Sequence, residues 1–487
     1  MNPTGNWESC ERGLSAHAFD WPLIEEFEVT DMSERSTEVA VVGAGIVGIA
    51  CAYYLVKQHG IANVVLIDPR DPMSLTSAQS GENYRNWWPH PVMTAYTDHS
   101  IDLMEAIARE SSERINMTRR GYALVTRRSL PEDLIEDLHR GYSASPDRPI
   151  RVHEAGSAGS YSPPVSAHWQ KAPQGVDVLC DPDLIQATFP SWAKDIRTVL
   201  HIRRAGSISG QQLGQYMLEA IRTAGGKLIR GEVSAIEGTA PFALRVSTAD
   251  GSFALRADRL VNAAGPFFAD VAAMLGETLP VTCVFQQKIS FEDREQAIPR
   301  DMPFTIDLDG QEIAWSEEER EILSEDAEAA KLLRPMPGGV HCRPDGAEDG
   351  KWIKLGWAYN ERPADPHEED PTDSQFPDSV IRAASRLHPK LEAYIGRLPR
   401  GAHHYGGYYA MTAENWPLIG PMKTPGAFMA GALSGFGTMA ACSTGSVCAA
   451  WVAGGELPAY ARPLSLARYD DTALMAELAA LSSRGVL

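Results

Sequence analysis

Gly43-Ala44-Gly45-Ile46-Val47-Gly48, followed about twenty residues later by Asp68, are residue types at a spacing that can hold a nucleotide. Gly43 allows a strand to end in a tight turn. Gly45, lacking a Cβ, lets a pyrophosphate lie against the backbone, and Gly48 lets the following helix approach the strand closely. Free N–H groups at the helix start then face the phosphates along a favourable dipole. The acid at position 68 can accept both hydroxyls of an adenosine ribose and disfavours a 2′-phosphate. With a strand before the glycines, a helix after them and a second strand ending at Asp68, the stretch reads as dinucleotide binding rather than an ordinary glycine-rich loop.

Ser434-Gly435-Phe436-Gly437-Thr438-Met439 is a second glycine loop before a helix, and another pocket of backbone N–H groups. One end of an extended ligand could sit there and the other at Gly43 to Gly48. Between them, residues 71–89 run through Ser77, Ser80 and Gly81 to Arg85, Trp87 and Trp88, a composition suited to a loop packed on a flat ligand. Arg85 is either ligand-facing or a structural arginine. Trp87, Trp88, Tyr408, Tyr409 and Trp416 are either an aromatic wall facing a ligand with an apolar or cationic body, or core. His403-His404 is the only adjacent histidine pair, and neighbours on an extended segment point to opposite faces, which favours a structural role over a metal site. No Ser/His/Asp constellation or metal-ligand cluster is evident, which fits chemistry borne by a cofactor.

The positioning elements follow from hydrophobic period. Residues 39–42 and 64–67 are short β-branched runs of strand type, and helical apolar spacing runs from the glycine loop through Leu55. Residues 100–115, 211–224, 316–333 and 379–388 have helical spacing, the third opening on a Ser316 cap with acids in its first turn. Residues 243–247 and 253–256 flank an Asp250-Gly251 turn, and 338–357 read as a hairpin turning at Asp345-Gly346. Residues 130–202 are irregular. Residues 258–266 run a hydrophobic strand into Ala264-Gly265-Pro266, which leaves room for a cofactor or for a packed helix start. The Ala/Ser/Cys-rich helix ending near Ala453 can sit tight against the first strand–helix unit.

With 487 residues the chain can bury a large core and suggests several domains, and 44% hydrophobic with 22% charged residues is ordinary for a globular protein. The net charge of −20, with no block of Lys or Arg, argues against nucleic acid or an anionic membrane as partner. The seven cysteines contain no CxxC pair and suit a reducing compartment. No apolar run is long enough to span a bilayer and the N-terminus lacks a secretory pattern, so the expected location is cytoplasmic.

These blocks together resemble the FAD-dependent amine and amino-acid oxidase family that includes D-amino-acid, glycine and sarcosine oxidases. The motifs are Gly43-x-Gly45-x-x-Gly48 with Asp68, the 76–81 loop, residues 261–266, the 412–420 segment and 433–439. The resemblance implies an α/β fold: an FAD-binding Rossmann-like, doubly wound domain (residues 37–115, 205–279 and 410–487) interleaved with a mostly antiparallel-sheet α+β substrate domain (116–204 and 280–409). Residues 1–36 would be an N-terminal extension. Gly43 to Gly48 would hold the pyrophosphate, Asp68 and Pro69 the ribose, and Val233 would lie near adenine. Ser77, Ser80 and Gly81 would run beside the ribityl chain and flavin, Ala264 and Gly265 would line the cofactor, and Gly437, Thr438 and Met439 would meet the pyrimidine edge.

The departures from the family are informative. Gly407 stands near the position of a flavin-attaching cysteine, so the FAD is expected to be non-covalent. Met439 replaces a lysine near the flavin of sarcosine oxidase. Tyr408 stands where other members grip a substrate carboxylate with arginine, unless Arg85 or Arg343 replaces that grip. The implied activity is oxidation of a C–N bond of a secondary amine or amino acid to an imine, with Arg85, Tyr408, His404 and Arg343 as catalytic candidates and Trp87, Trp88 and Tyr409 at the substrate. Electrons would go to oxygen or to a carrier. The alternatives are a dehydrogenase with a non-oxygen acceptor and a structural flavoprotein subunit; a homo-oligomer is allowed.

Overall fold

The computed structural model describes residues 35–145, 147–156, 160–164, 169–346 and 349–481. Apart from Arg35 and Ser36, the expected N-terminal extension lies outside the described residues. Strand Ser36–Val42 sits mid-sheet, parallel to Val64–Asp68 on one side and to the long strand Gly251–Asn262 on the other. Lys227–Arg230 extends the sheet beyond Val64–Asp68, and Ala427–Gly431 pairs in parallel with the end of Gly251–Asn262. A meander of Glu232–Glu237 and Phe242–Thr248 adds antiparallel strands on the first half of that long strand. Residues from both ends of the chain therefore share one sheet. Val39, Val41, Leu66 and Val261 are buried, as continuous apolar runs in a covered parallel sheet should be.

Helices Ile46–His59 and Gly437–Ala453 cross against one face of this sheet. Where Gly445 passes Ala50, an added Cβ would come within 2.5 Å of the Ala50 carbonyl carbon. The small-residue composition of the C-terminal helix is thus what lets two backbones touch. Cys51 and Cys448 meet in the same seam, and both are buried. The Pro91–Glu110 helix packs beside them, with Ser100 Oγ donating to the Met439 carbonyl at 2.7 Å.

A second sheet of nine strands runs in the order 403–411, 282–292, 352–356, 340–345, 304–307, 122–126, 198–202, 176–179, 150–153. It is antiparallel except for two neighbouring pairs, Phe304–Asp307 with Tyr122–Thr126 and Ile150–His153 with Val176–Leu179. Its strands come from 116–204 and 280–409, except that strand His403–Met411 runs two residues past 409. The α/β class and the mostly antiparallel second sheet agree with the sequence reading.

Several local expectations shift. The 100–115 helix begins at Pro91, where His90 Nδ1 accepts the Val92 N–H and proline occupies the first turn. The 316–333 helix keeps its Ser316–Glu319 capping box but breaks at Asp326, whose backbone is extended, leaving Glu317–Glu325 and a short 3-10 turn at Ala329–Leu333. The described residues of the irregular 130–202 stretch contain three short strands, two α-helices and a 3-10 turn. Its strands are hard to see because they bury polar residues: Asp177 accepts from Arg151, His153 and Arg203 inside the sheet.

Candidate functional site

Gly43 has φ +108°, and a Cβ there would strike the Ala263 carbonyl oxygen. Only glycine closes this turn without strain. Gly43 N–H reaches the Ile67 carbonyl at 2.8 Å, and Ala44 N–H reaches Asp68 Oδ2 at 2.8 Å. Asp68 Oδ1 takes the Arg70 N–H at 2.9 Å. Each carboxylate oxygen keeps a second lone pair. The acid and the glycine loop are one unit.

Neither long helix of the crossing pair has a side-chain cap at its N-terminus. The backbone beside each start is also open. A Cβ on Gly45 would meet only Ser77 Oγ at 3.1 Å, one on Gly437 only Leu433 Cβ at 3.9 Å, and one on Gly265 nothing within 4 Å. Open backbone and unmet N–H groups at two helix starts form cradles for anionic or polar ligand groups.

The serine loop joins the two. Ser77 Oγ accepts the Ile46 N–H at 3.0 Å, and Ser80 Oγ accepts from Thr438 Oγ1 at 2.8 Å. Beside this junction lies a cavity of about 30 Å³. Ser80, Gly81, Gly435, Thr438 and Met439 line it from the cradle side, and Tyr122, Lys288, Phe304, His341 and Tyr409 from the second sheet. Glu82 and Asn83 complete the lining.

Of the candidate catalytic and substrate residues, Tyr409 alone lines the cavity. In strand His403–Met411 the faces alternate, and Gly407 lies against Gln79 and Thr76 of the serine loop, on the same side as Tyr409. Tyr408 points the other way. Its hydroxyl donates to Asp370 at 2.9 Å, and burial together with Asp370 pushes its pKa up to about 12. His404 also faces away, bonded to Gln287 Oε1 at 2.9 Å and stacked on Phe376. Trp87 and Trp88 are core, packed where the 132–141 helix ends at Gly141. Arg85 is buried behind them, its guanidinium 4.7 Å from the Trp88 ring and 5.4 Å from that of Tyr122. Val233 is buried in the adjoining meander, and Trp416 in the core.

Arg343 borders the cavity from behind. Its Nε donates to the Gly81 carbonyl at 3.1 Å and its Nη1 lies 2.9 Å from Asp345. Lys354 shares Asp345 at 3.3 Å, and both cations lie 3.7 Å from Glu82. Burial pushes the Asp345 carboxyl up, but the two cations outweigh it and hold it below its ordinary value. The network clamps the loop carrying Ser80 and Gly81.

Of the second-sheet wall, Tyr122, Lys288, Phe304 and His341 escaped the sequence reading. His341 Nδ1 donates to the Gly339 carbonyl at 3.0 Å, which leaves Nε2 as the acceptor. Burial, with the charge of Lys288 adding to it, drives its pKa down to about 4. Lys288 sits in the middle of strand Thr282–Glu292, whose interior is buried throughout. The available signal was the alternation Gln286-x-Lys288-x-Ser290, three polar residues on one face of the strand. Among the described residues no group of three or more His, Cys, Asp or Glu is arranged to hold a metal ion, and no helix is long and apolar enough to cross a membrane.

A family model described as FAD dependent oxidoreductase matches residues 38–451. The mitochondrial dimethylglycine dehydrogenases of Homo sapiens and Rattus norvegicus are 23% and 22% identical over 90% and 86% of the chain. The chain spans only 44% and 43% of their length. Among solved structures, L-proline dehydrogenase from P. horikoshii superposes with a TM-score of 0.66 at 16% identity, covering 90% of this chain and 99% of that one. Glycine oxidase from Geobacillus kaustophilus gives 0.64 at 19%, covering 89% and 99%. Iminodiacetate oxidase from Chelativorans sp. BNC1 gives 0.62 at 18%, covering 88% and 98%. At these identities the structural likenesses establish a shared fold.

Proposed function

The chain belongs to the FAD dependent oxidoreductase family, and from that premise we propose that it oxidises the C–N bond of a secondary amine or amino acid to an imine in the cavity beside Met439. The observation that carries this reading is the position of the cavity. It lies where the serine loop ties the two cradles together, closed on its far side by aromatic residues of the second sheet.

The residues present fit FAD. The open backbone at Gly45, Gly265 and Gly437 is the space its pyrophosphate and ring edge require. Gly43 to Gly48, with Asp68 and Pro69, would hold the adenosine half, and Val233 would flank the base. Ser77, Ser80, Gly81, Ala264 and Gly437 to Met439 would hold the flavin half. When bound, FAD supplies the two-electron acceptor for a hydride leaving the carbon beside nitrogen. On this reading 37–115, 205–279 and 410–487 would carry the cofactor and 116–204 and 280–409 the substrate wall.

What the chain contributes is binding, orientation and dryness. His341, neutral down to about pH 4, would present Nε2 as an acceptor that holds an amine N–H and so orients the nitrogen. Tyr122, Phe304 and Tyr409 keep bulk water from the reacting carbon. An anaerobic screen of secondary amines and amino acids, followed by loss of flavin absorbance, tests the reading. Bleaching with a subset is expected, and none across a broad panel counts against amine oxidation.

Retention of FAD should depend on these non-covalent contacts. Asp68→Ala removes the charged acceptor for the ribose and for two backbone N–H groups, each such bond being worth about 1.5–3 kcal/mol. FAD affinity is expected to fall by about tenfold or more with the far-ultraviolet circular dichroism unchanged, and acid precipitation of the wild type should leave all its flavin in the supernatant. Full retention in the variant would remove Asp68 from the site.

A second reading concerns the electron acceptor. Met439, standing where sarcosine oxidase has a lysine near the flavin, favours an acceptor other than oxygen; of the similar proteins, the human, rat and P. horikoshii ones are named dehydrogenases and two others oxidases. Stopped-flow mixing of the reduced holoenzyme with aerated buffer is expected to show reoxidation slower than substrate reduction. Reoxidation faster than reduction would make it an oxidase. A reducing, cytoplasmic setting suits the free thiols of Cys51, Cys180, Cys283, Cys342, Cys442 and Cys448.

A further inference from the structure

Several buried cations of this protein are met by carboxylates. Arg343 and Lys354 have Asp345 and Glu82, Arg127 has Asp307 and Asp309, and Arg151 and Arg203 have Asp177. Lys288 breaks the pattern. It is 7% exposed, and among the described residues no carboxylate lies within 4.0 Å of its ammonium. Its hydrogen bond goes to Tyr409 Oη at 3.4 Å. The acid that shares its cavity, Glu82, is committed elsewhere, with Oε1 on the Gly210 N–H at 2.8 Å and Oε2 facing Arg343 and Lys354.

A buried ammonium without a counter-ion is costly. The cavity it lines is where compensation can enter. Three of the wall residues are aromatic, the enclosed volume is about 30 Å³, and Lys288 is the one lysine or arginine of the lining. One cation in so small a space matches a singly charged anion better than a dianion.

Resting on the amine-oxidation reading, we propose that Lys288 is the specificity-determining anchor of this site, binding the carboxylate of the substrate, so that the enzyme takes amines that carry an acid group and discriminates against those that do not. The two arginines that the sequence offered for such a grip are occupied otherwise. Arg343 clamps the serine loop, and Arg85 lies beyond the Tyr122 wall. Tyr409 would hold the ammonium in place and share the anion, its hydroxyl turning to donate once a carboxylate arrives.

The test uses the FAD-loaded protein and two probes of one shape, propanoate and propanamide, titrated while the visible spectrum of the bound flavin is followed. In the wild type the acid is expected to bind at least tenfold more tightly than the amide. Lys288→Met should abolish that preference by weakening the acid alone, and Lys288→Arg should retain most of it. Flavin content equal to wild type in each variant excludes a folding loss, and Lys288→Gln replaces Met if that variant is unstable. A preference that survives in Lys288→Met, or no preference in the wild type, overturns the proposal. The amine screen separates the two readings. Bleaching by amines with and without acid groups alike keeps amine oxidation and removes the anchor. Carboxylate discrimination that depends on Lys288, with no amine bleaching the flavin, keeps the anchor and removes amine oxidation.

Discussion

Gly45→Val is expected to purify as a folded protein that is colourless and binds added FAD at least about a hundredfold more weakly than wild type, a loss of about 2.8 kcal/mol. Gly45 has φ −72° and ψ 176°, a conformation any residue adopts, so the backbone bears no strain from the change. Its new side chain would meet Ser77 Oγ and otherwise project into the space proposed for the pyrophosphate. Binding is lost while the fold stays. Gly43→Val is the contrasting control. At φ +108° a side chain costs about 1–3 kcal/mol in backbone strain alone, and its Cβ collides with the Ala263 carbonyl of a neighbouring central strand. That variant should fail to fold. Thermal unfolding and the ratio of flavin to protein absorbance distinguish the two. A Gly45→Val protein carrying a full complement of flavin would show that the cofactor does not cross this loop.

Acid should unfold the protein steeply, well above the pH at which carboxylates are protonated. Burial lowers His201 and His388 to about 3 and His341 to about 4, from an ordinary 6.5. Arg203 adds to the shift at His201, and Lys288 to that at His341. The unfolded chain therefore binds protons on these rings between pH 6.5 and about 4 while the folded chain does not, so stability is complete above 6.5 and is lost as pH falls through that window. Each ring contributes about 1.4 kcal/mol per pH unit near pH 5, roughly 4 kcal/mol per unit for the three. Tm measured from pH 7.5 to 4.5 should drop with rising slope, and His388→Leu, which removes a ring lying in an apolar surround, should reduce that slope by about a third. A Tm flat between pH 6.5 and 5 would contradict it.

The parts of this site that could be read in the sequence are those where backbone chemistry dictates residue type. A phosphate cradle needs glycine at fixed offsets, a ribose needs an acid at the end of the next strand, and two helices crossing at backbone contact need small residues, so Gly43 to Gly48, Asp68 and the 437–453 helix announce themselves. The substrate wall does not. Lys288, His341 and Tyr409 come from strands 282–292, 340–345 and 403–411, and they converge only through the register that pairs Phe285 with Tyr408 and Lys288 with Gly356. A strand's alternation says that Tyr408 and Tyr409 face opposite ways, and only the sheet's position against the serine loop decides which faces in. Trp87 and Trp88 looked chemical because large aromatics suit both a ligand and a core. The helix starting at Pro91 went unseen for its first turns because proline reads as a breaker before it reads as a first-turn residue.

Gly445 against Ala50 has a consequence for biosynthesis. The partners that close the first cradle leave the ribosome only after the whole second sheet. Until then the first helix has its most apolar flank bare, and a nascent chain in that condition invites chaperones or self-association. Folding that waits on contacts so remote along the polypeptide is slow, and a ribosome stalled short of codon 437 should release an insoluble product rather than a smaller working enzyme.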